Sequence, residues 1–190
     1  MNRKIIIIEG YLASGKSTFA VRLSKAISVP YFVKDTFKIA LSKSVGINTR
    51  INSSRFSTVT FDAMMYVTER LLEVGRPVII EGNFVPTGIK KVDEAGTIRN
   101  LLDKYGCKAL TYKFKGDTSV LYNRFIEREK TPERGVNAMF HEPSLDDFNK
   151  WCHGLDAFDV GGEIIQIDTT DFVKVDFMGY IEAARSFIGR

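Results

Sequence analysis

Residues 5–18 constrain the chain more than any other stretch. They read Ile5-Ile6-Ile7-Ile8-Glu9-Gly10-Tyr11-Leu12-Ala13-Ser14-Gly15-Lys16-Ser17-Thr18. Four β-branched residues in a row suit a strand buried on both faces, since an exposed strand would alternate apolar with polar. Gly10 to Ser17 then fits G-x-x-x-x-G-K-[ST], and an apolar-periodic helix follows. Glycines let consecutive backbone N–H groups turn inward around phosphate oxygens, and a helix N-terminus adds its positive end. The residues that would cradle those phosphates are Gly10, Leu12, Ala13, Ser14, Gly15, Lys16, Ser17 and Thr18. Lys16 would bring its charge to the β- and γ-phosphates, and the Ser17 hydroxyl would hold Mg²⁺. A chance glycine turn before a helix is the competing reading, and the strand–loop–helix context argues against it.

A length of 190 residues suits one domain, here 1–190, with a sizeable core. The net charge of +4 comes without any Lys/Arg run, so nothing reads as a nucleic-acid-binding tail. Cys107 and Cys152 have no framework spacing, which points to a reducing compartment. The apolar run after Asn2-Arg3-Lys4 stops at Glu9, too short for a signal peptide, and no stretch has the length of a membrane span. The expectation is a cytoplasmic protein, monomeric or homodimeric.

Hydrophobic periodicity predicts alternating strands and helices. Strands fall at 5–8, 31–33, 78–81, 107–114 and 164–167. Helices fall at 16–28, 34–43, 94–105, 118–129, 145–155 and 173–188. A long helix capped by Ser53 or Ser54 should turn Phe56, Val59, Ala63, Met64, Val67 and Leu71 to one face. Residues 46–54 read as a polar loop, and 130–143 as a mobile segment. Short apolar strands alternating with helices require right-handed crossovers, hence a parallel α/β sheet covered on both faces. Ligands of such sheets sit beyond the carboxyl ends of the strands.

The residues following strands therefore carry the candidate chemistry. Asp35, after strand two, could accept a proton from an acceptor hydroxyl or bind Mg²⁺ through water, and it would also suit a helix cap. Lys38, one turn on, could orient the acceptor or a phosphate, or be solvated. Glu81 ends strand three where an acid would orient the Mg²⁺ shell, or it is a strand-terminal acid in solvent. Asn83 could touch the acceptor, while Phe84 suits the core. Arg124 and Arg128 share a helix face, and Arg134 follows in the mobile segment. Guanidinium groups on a closing lid would neutralise a transferring phosphoryl group, or they belong to an ordinary charged surface. Asp168, Thr169 and Thr170 could present polar groups to an adenine, or form a plain turn. His141 and His153 have no metal-ligand spacing. Asn149-Lys150-Trp151-Cys152 lacks the aspartate of a guanine motif, and Asp93-Glu94-Ala95-Gly96 follows no strand, so a GTPase-like switch is disfavoured.

Together GYLASGKST at 10–18, KDTFK at 34–38, VIIEGNF at 78–84, RFIER at 124–128 and IDTTDF at 167–172 resemble the small P-loop kinases of the AAA_33-type group. That group is similar to chloramphenicol phosphotransferase, the polynucleotide 5′-kinase domain, zeta-toxin kinases and, more distantly, adenylate kinase. The resemblance implies a three-layer P-loop NTPase fold with strand order 2-3-1-4-5. It implies a lid near 128–144 and an acceptor-binding region near 44–75. It also implies ATP and Mg²⁺ as cofactors, Asp35 as base, Arg124 stacked on adenine, Arg128 on phosphate, and a base-cradling loop at Asp168 to Thr170. Glu81-Gly82-Asn83 departs from an Asp-Gly-Phe-Pro-Arg pattern, which argues against an AMP acceptor. The expected activity is transfer of the γ-phosphoryl group to a hydroxyl of a small molecule. A polynucleotide 5′-hydroxyl kinase, or a nucleotide-binding switch or ATPase without kinase activity, are the alternatives.

Overall fold

The computed structural model describes residues 3–42, 44–46, 56–85, 92–139 and 141–189. In chain order the elements are β1 (Lys4–Gly10), α1 (Lys16–Ile27), β2 (Tyr31–Val33), α2 (Lys34–Ser42), α3 (Ser57–Glu73), β3 (Val78–Glu81) and α4 (Glu94–Tyr105). They continue as β4 (Lys108–Lys115), α5 (Thr118–Glu129), α6 (Leu145–Gly154), β5 (Glu163–Asp168) and α7 (Phe177–Ile188). Short 3₁₀ turns lie at Pro132–Asn137, Leu155–Ala157 and Phe172–Lys174.

All neighbouring strands are parallel, in the order β2-β3-β1-β4-β5. β1 is central, and its four isoleucines have no exposed surface. Side chains alternate across a strand, so Ile5 and Ile7 enter one core and Ile6 and Ile8 the other. The first core is closed by Phe61 and Met64 of α3 and by Ile98 and Leu102 of α4. The second is closed by Phe19 and Leu23 of α1 and by Ile181 and Ile188 of α7. Burying each isoleucine contributes about 2 kcal/mol, so the run that identified the strand also anchors the sheet. A third, smaller cluster joins Tyr11 to Leu121 and Phe125 of α5 and to Phe148 and Cys152 of α6.

Several expected boundaries and faces differ. The buried stripe of α3 is Thr60, Phe61, Met64, Met65, Thr68 and Leu72, whereas Val59 is half exposed. Apolar residues populate two adjacent stripes of this helix, and packing on Phe84 and the sheet selects the one holding Phe61. The expected cap at Ser53 or Ser54 and the loop 47–54 lie outside the described residues. The closing helix begins at Phe177 rather than 173, because the Asp176 side chain accepts from Gly179 N–H and caps it there. Residues 132–137 are folded as a 3₁₀ turn packed against α2, with Asn137 buried. Among the described residues no helix is long and apolar enough to cross a membrane.

Candidate functional site

The loop after β1 is shaped by its backbone. Gly10 has φ +122°, and a Cβ there would lie 2.1 Å from the Phe114 carbonyl oxygen of β4. Only glycine lets the loop leave the strand at that point. Ala13 also has a positive φ, of 57°. A left-handed alanine costs about 1 kcal/mol, and such strain gathers where a loop is shaped for a ligand. Gly15, at φ +87°, precedes the first turn of α1. Ser14 Oγ donates to Tyr11 O at 2.7 Å. Lys16 is buried, and its ammonium donates to Gly10 O at 2.7 Å and Tyr11 O at 2.6 Å. Burial lowers the Lys16 pKa, while the charges of Glu81 and Glu9 oppose the shift.

A cavity of about 690 Å³ opens in front of this loop, bordered by Lys16, Asp35, Glu81, Asn83, Arg128 and Arg134. Strands β1, β2 and β3 end side by side, Ile8 opposite Glu81 and Val33 opposite Glu81, so their following residues converge on it. Ser17 Oγ donates to Glu81 Oε2 at 2.8 Å. Glu81 is buried, and desolvation raises its pKa against the pull of Lys16 and the Ser17 hydrogen bond. A buried carboxylate beside a hydroxyl is a pair of oxygen ligands that a hard cation would relieve of that desolvation. Among the described residues no group of three or more His, Cys, Asp or Glu side chains could form a cage. The donor set of one carboxylate and one hydroxyl fits Mg²⁺, which keeps water and takes one or two protein oxygens plus phosphates.

Asp35 stands in the first turn of α2 rather than at its cap, because the helix already begins at Lys34. Its side chain keeps 61% of its surface open to the cleft, and Lys38 Nζ lies 3.5 Å from Oδ1. Partial desolvation pushes the Asp35 carboxyl up, but Lys38, Arg134 and Lys34 together hold it below the usual carboxylate range. It is therefore ionised at neutral pH. Lys34 itself is buried and paired with Glu94 at 2.5 Å, which ties α2 to α4.

The three arginines have different surroundings. Arg128 borders the cavity, and among the described residues no carboxylate pairs with it. Its pKa is lowered by burial and then by Arg134, but a guanidinium stays charged. Arg134 is already engaged, with Nε 2.6 Å from Glu129 Oε1 and NH2 donating to Asn137 O. Arg124 donates to Thr169 O at 2.6 Å and Thr170 O at 2.8 Å, and its Cζ lies over the Phe172 ring, 4.2 Å from the ring centre. One face of Arg124 is thus covered by Phe172. Asp168 accepts from Thr170 N–H, Thr169 Oγ1 donates to Lys115 O, and Thr170 Oγ1 accepts from Asp117 N–H. Asp168 holds its own turn, while Thr169 and Thr170 tie that turn to the chain leaving β4. Phe84 is fully buried in the core.

Sequence reasoning missed the residues beneath the loop. The Tyr11 hydroxyl lies 3.0 Å from His153 Nδ1 and donates to Asp156 Oδ2 at 3.1 Å. His153 thus has a polar partner although it has no metal-ligand spacing. Lys115 Nζ joins Asp156 Oδ1 at 2.9 Å. Glu9, met in the sequence only as the end of an apolar run, is a fully buried carboxylate beside Lys113. Pairing two residues on strands a hundred positions apart leaves no local signal.

No protein-family model and no curated protein sequence matches the chain. Solved structures do. A protein from Chloroflexus aurantiacus, provisionally described as a kinase, superposes with a TM-score of 0.79 at 20% identity, covering 99% of this chain and 97% of its own. A gluconokinase from Sinorhizobium meliloti gives a TM-score of 0.57 at 17% identity, covering 99% and 93%. A shikimate kinase from Bacteroides thetaiotaomicron gives 0.55 at 11% identity, covering 98% of each chain. With the parallel order β2-β3-β1-β4-β5 and the loop between β1 and α1, these likenesses establish that the chain has the fold of the P-loop kinases.

Proposed function

We propose that the protein is an ATP- and Mg²⁺-dependent phosphotransferase that moves the γ-phosphoryl group to a hydroxyl of a small molecule. The observation that carries the reading is the convergence in one cleft of a phosphate-shaped loop and an ionised carboxylate, Asp35. ATP would lie with its phosphates in the Gly10–Thr18 loop. Ser17 and Glu81 would hold Mg²⁺, which when bound neutralises charge between the β- and γ-phosphates.

Asp35 takes the proton of the acceptor hydroxyl as its oxygen attacks phosphorus. The new oxygen–phosphorus bond forms while the bond to the bridging oxygen breaks, and ADP leaves with that electron pair. Lys16 exchanges its two carbonyl partners for phosphate oxygens. Arg128, which has no carboxylate partner among the described residues, meets the charge that spreads over the equatorial oxygens. Arg134 contributes through its link between Glu129 and Asn137, and residues 128–144 act as the lid that excludes water. Lys38 and Asn83 face the acceptor, whose choice rests with residues 44–75. Arg124 offers a nucleobase the face that Phe172 leaves open, beside the turn at Asp168 to Thr170.

The names carried by the similar folds make gluconate and shikimate the first acceptors to try. The test is incubation with γ-labelled ATP, Mg²⁺ and a panel of hydroxyl-bearing metabolites, antibiotics and 5′-hydroxyl oligonucleotides. Label on a small molecule supports the reading. Label on oligonucleotides alone, or only free phosphate across a broad panel, contradicts it.

A further inference from the structure

Glu9 sits one residue before the phosphate-binding loop, on the Ile5/Ile7 face of β1, with no exposed surface. Neither of its carboxylate oxygens has a hydrogen-bond partner among the described residues. Such a group is costly to bury, because nothing replaces the water it loses. Three charged side chains face it. Lys113, its register partner on β4, holds Nζ 3.6 Å from Oε1, but that ammonium donates to Asp156 O at 2.9 Å and Phe158 O at 3.1 Å instead. Lys16, at the start of α1, acts on it from the loop side. Asp156, in the turn after α6, opposes both, and the neutral Tyr11 hydroxyl lies beside Asp156. Burial pushes the Glu9 carboxyl up to about 7, with Lys113 and then Lys16 holding it down.

Lys16 now rests on the carbonyls of Gly10 and Tyr11, the two residues that follow Glu9. We infer that Glu9 is a positioning residue for Lys16 and exchanges a proton with solvent as that lysine moves. With Lys16 on its carbonyl perch, Glu9 is a carboxylate shared between two cations, and it helps keep the buried lysine charged. When Lys16 swings to a nucleotide phosphate, one of those cations departs. A carboxylate left with Lys113 and, among the described residues, no hydrogen bond takes up a proton from solvent and becomes the neutral acid. No other bond changes. The inference rests on the reading of Gly10–Thr18 as a nucleotide-phosphate loop, and it adds a prediction that reading does not make. Nucleotide binding at Lys16 is coupled to protonation of a residue that touches no ligand.

The test is calorimetric titration of the full chain with a non-hydrolysable ATP analogue and Mg²⁺, near pH 7.5, in buffers of different ionisation enthalpy. The wild type should take up a few tenths of a proton more per nucleotide than Glu9→Gln. Because proton uptake favours binding at low pH, wild-type affinity should fall by roughly threefold to tenfold relative to Glu9→Gln as pH rises from 7 to 8.5. Carboxyl ¹³C NMR gives a second readout that needs no Glu9 variant. The Glu9 resonance should titrate at higher pH with nucleotide than without, and already at the higher pH in nucleotide-free Lys16→Met. Equal proton numbers in the two proteins, or a Glu9 resonance unmoved by bound nucleotide, would overturn the inference. Absence of any binding heat would overturn the nucleotide reading, and this inference with it.

Discussion

The two walls of the cleft are held together by different kinds of bond. On the donor wall the loop is fixed by main-chain geometry and by short-range bonds: Lys16 to the carbonyls of Gly10 and Tyr11, and Ser14 to Tyr11. All of these lie within six residues of one another. The other wall is fixed by charged side chains: Lys34 to Glu94 between α2 and α4, Arg134 to Glu129 between the 3₁₀ turn and α5, and Lys38 to Asp35 within α2. A wall built from backbone has one shape and one ligand class. A wall built from ion pairs can be retuned by a few substitutions without disturbing the sheet.

That contrast can be broken at either wall. The largest effect should come from Gly10→Ala, whose methyl group would meet the Phe114 carbonyl oxygen at 2.1 Å from a left-handed backbone. A loss of at least about 4 kcal/mol is expected, read from urea or thermal unfolding. On the other wall, Glu94→Gln leaves the Lys34 ammonium facing an uncharged amide in the interior. Breaking a buried pair this way should cost about 3–5 kcal/mol, whereas Lys34→Met with Glu94→Leu should recover most of it. Equal losses in the single and double variants would mean that the pair does not hold that wall.

The arginines sharpen the comparison. Arg128 has no carboxylate partner among the described residues, so Arg128→Ala should lower kcat by roughly 10²–10³-fold with little change in stability. Arg134 already spends its charge on Glu129. Arg134→Ala should cost less than about tenfold in kcat and more in stability than Arg128→Ala, because it also removes the cation at Glu129 Oε1 and leaves that carboxylate only the Met139 N–H among these partners. A reversed order in steady-state rates would contradict the assignment of roles.

Glu9 makes stability depend on pH in a direction opposite to most acids. Its folded pKa of about 7 lies above the ordinary value of 4.5, so the folded state binds the extra proton between those limits. Stability from this group is full below pH 4.5 and falls as pH rises, the difference reaching about 3 kcal/mol by neutrality. Unfolding free energies measured from pH 4.5 to 8 should decline in the wild type relative to Glu9→Gln. Parallel profiles would show that the carboxylate is not destabilised by burial.

What could be read from the sequence follows the same division. The loop, β1, and the strand ending at Glu81 were legible because their cause is local: consecutive isoleucines, spaced glycines, an acid after Val78-Ile79-Ile80. Strand order followed from resemblance and matches the sheet. The stripe of α3 was misplaced because its apolar residues cover two adjacent faces, and only the sheet and Phe84 decide between them. Tyr11, Glu9 and Phe172 escaped notice because their partners are remote. The Tyr11 hydroxyl reaches His153 across 142 positions, and the Phe172 ring meets Arg124 only after β5 closes the sheet. No periodicity encodes such contacts.

The central claim is that one cleft joins a nucleotide-phosphate loop to a hydroxyl-activating carboxylate, and Asp35→Asn tests it most directly. The amide keeps the shape of the side chain but cannot accept the hydroxyl proton. Binding of Mg²⁺·ATP, measured by calorimetry, should stay within about twofold of wild type, while phosphoryl transfer to the acceptor found in the screen falls by roughly 10²–10⁴-fold. Unchanged transfer in the variant, or nucleotide affinity lost in step with transfer, would contradict the account.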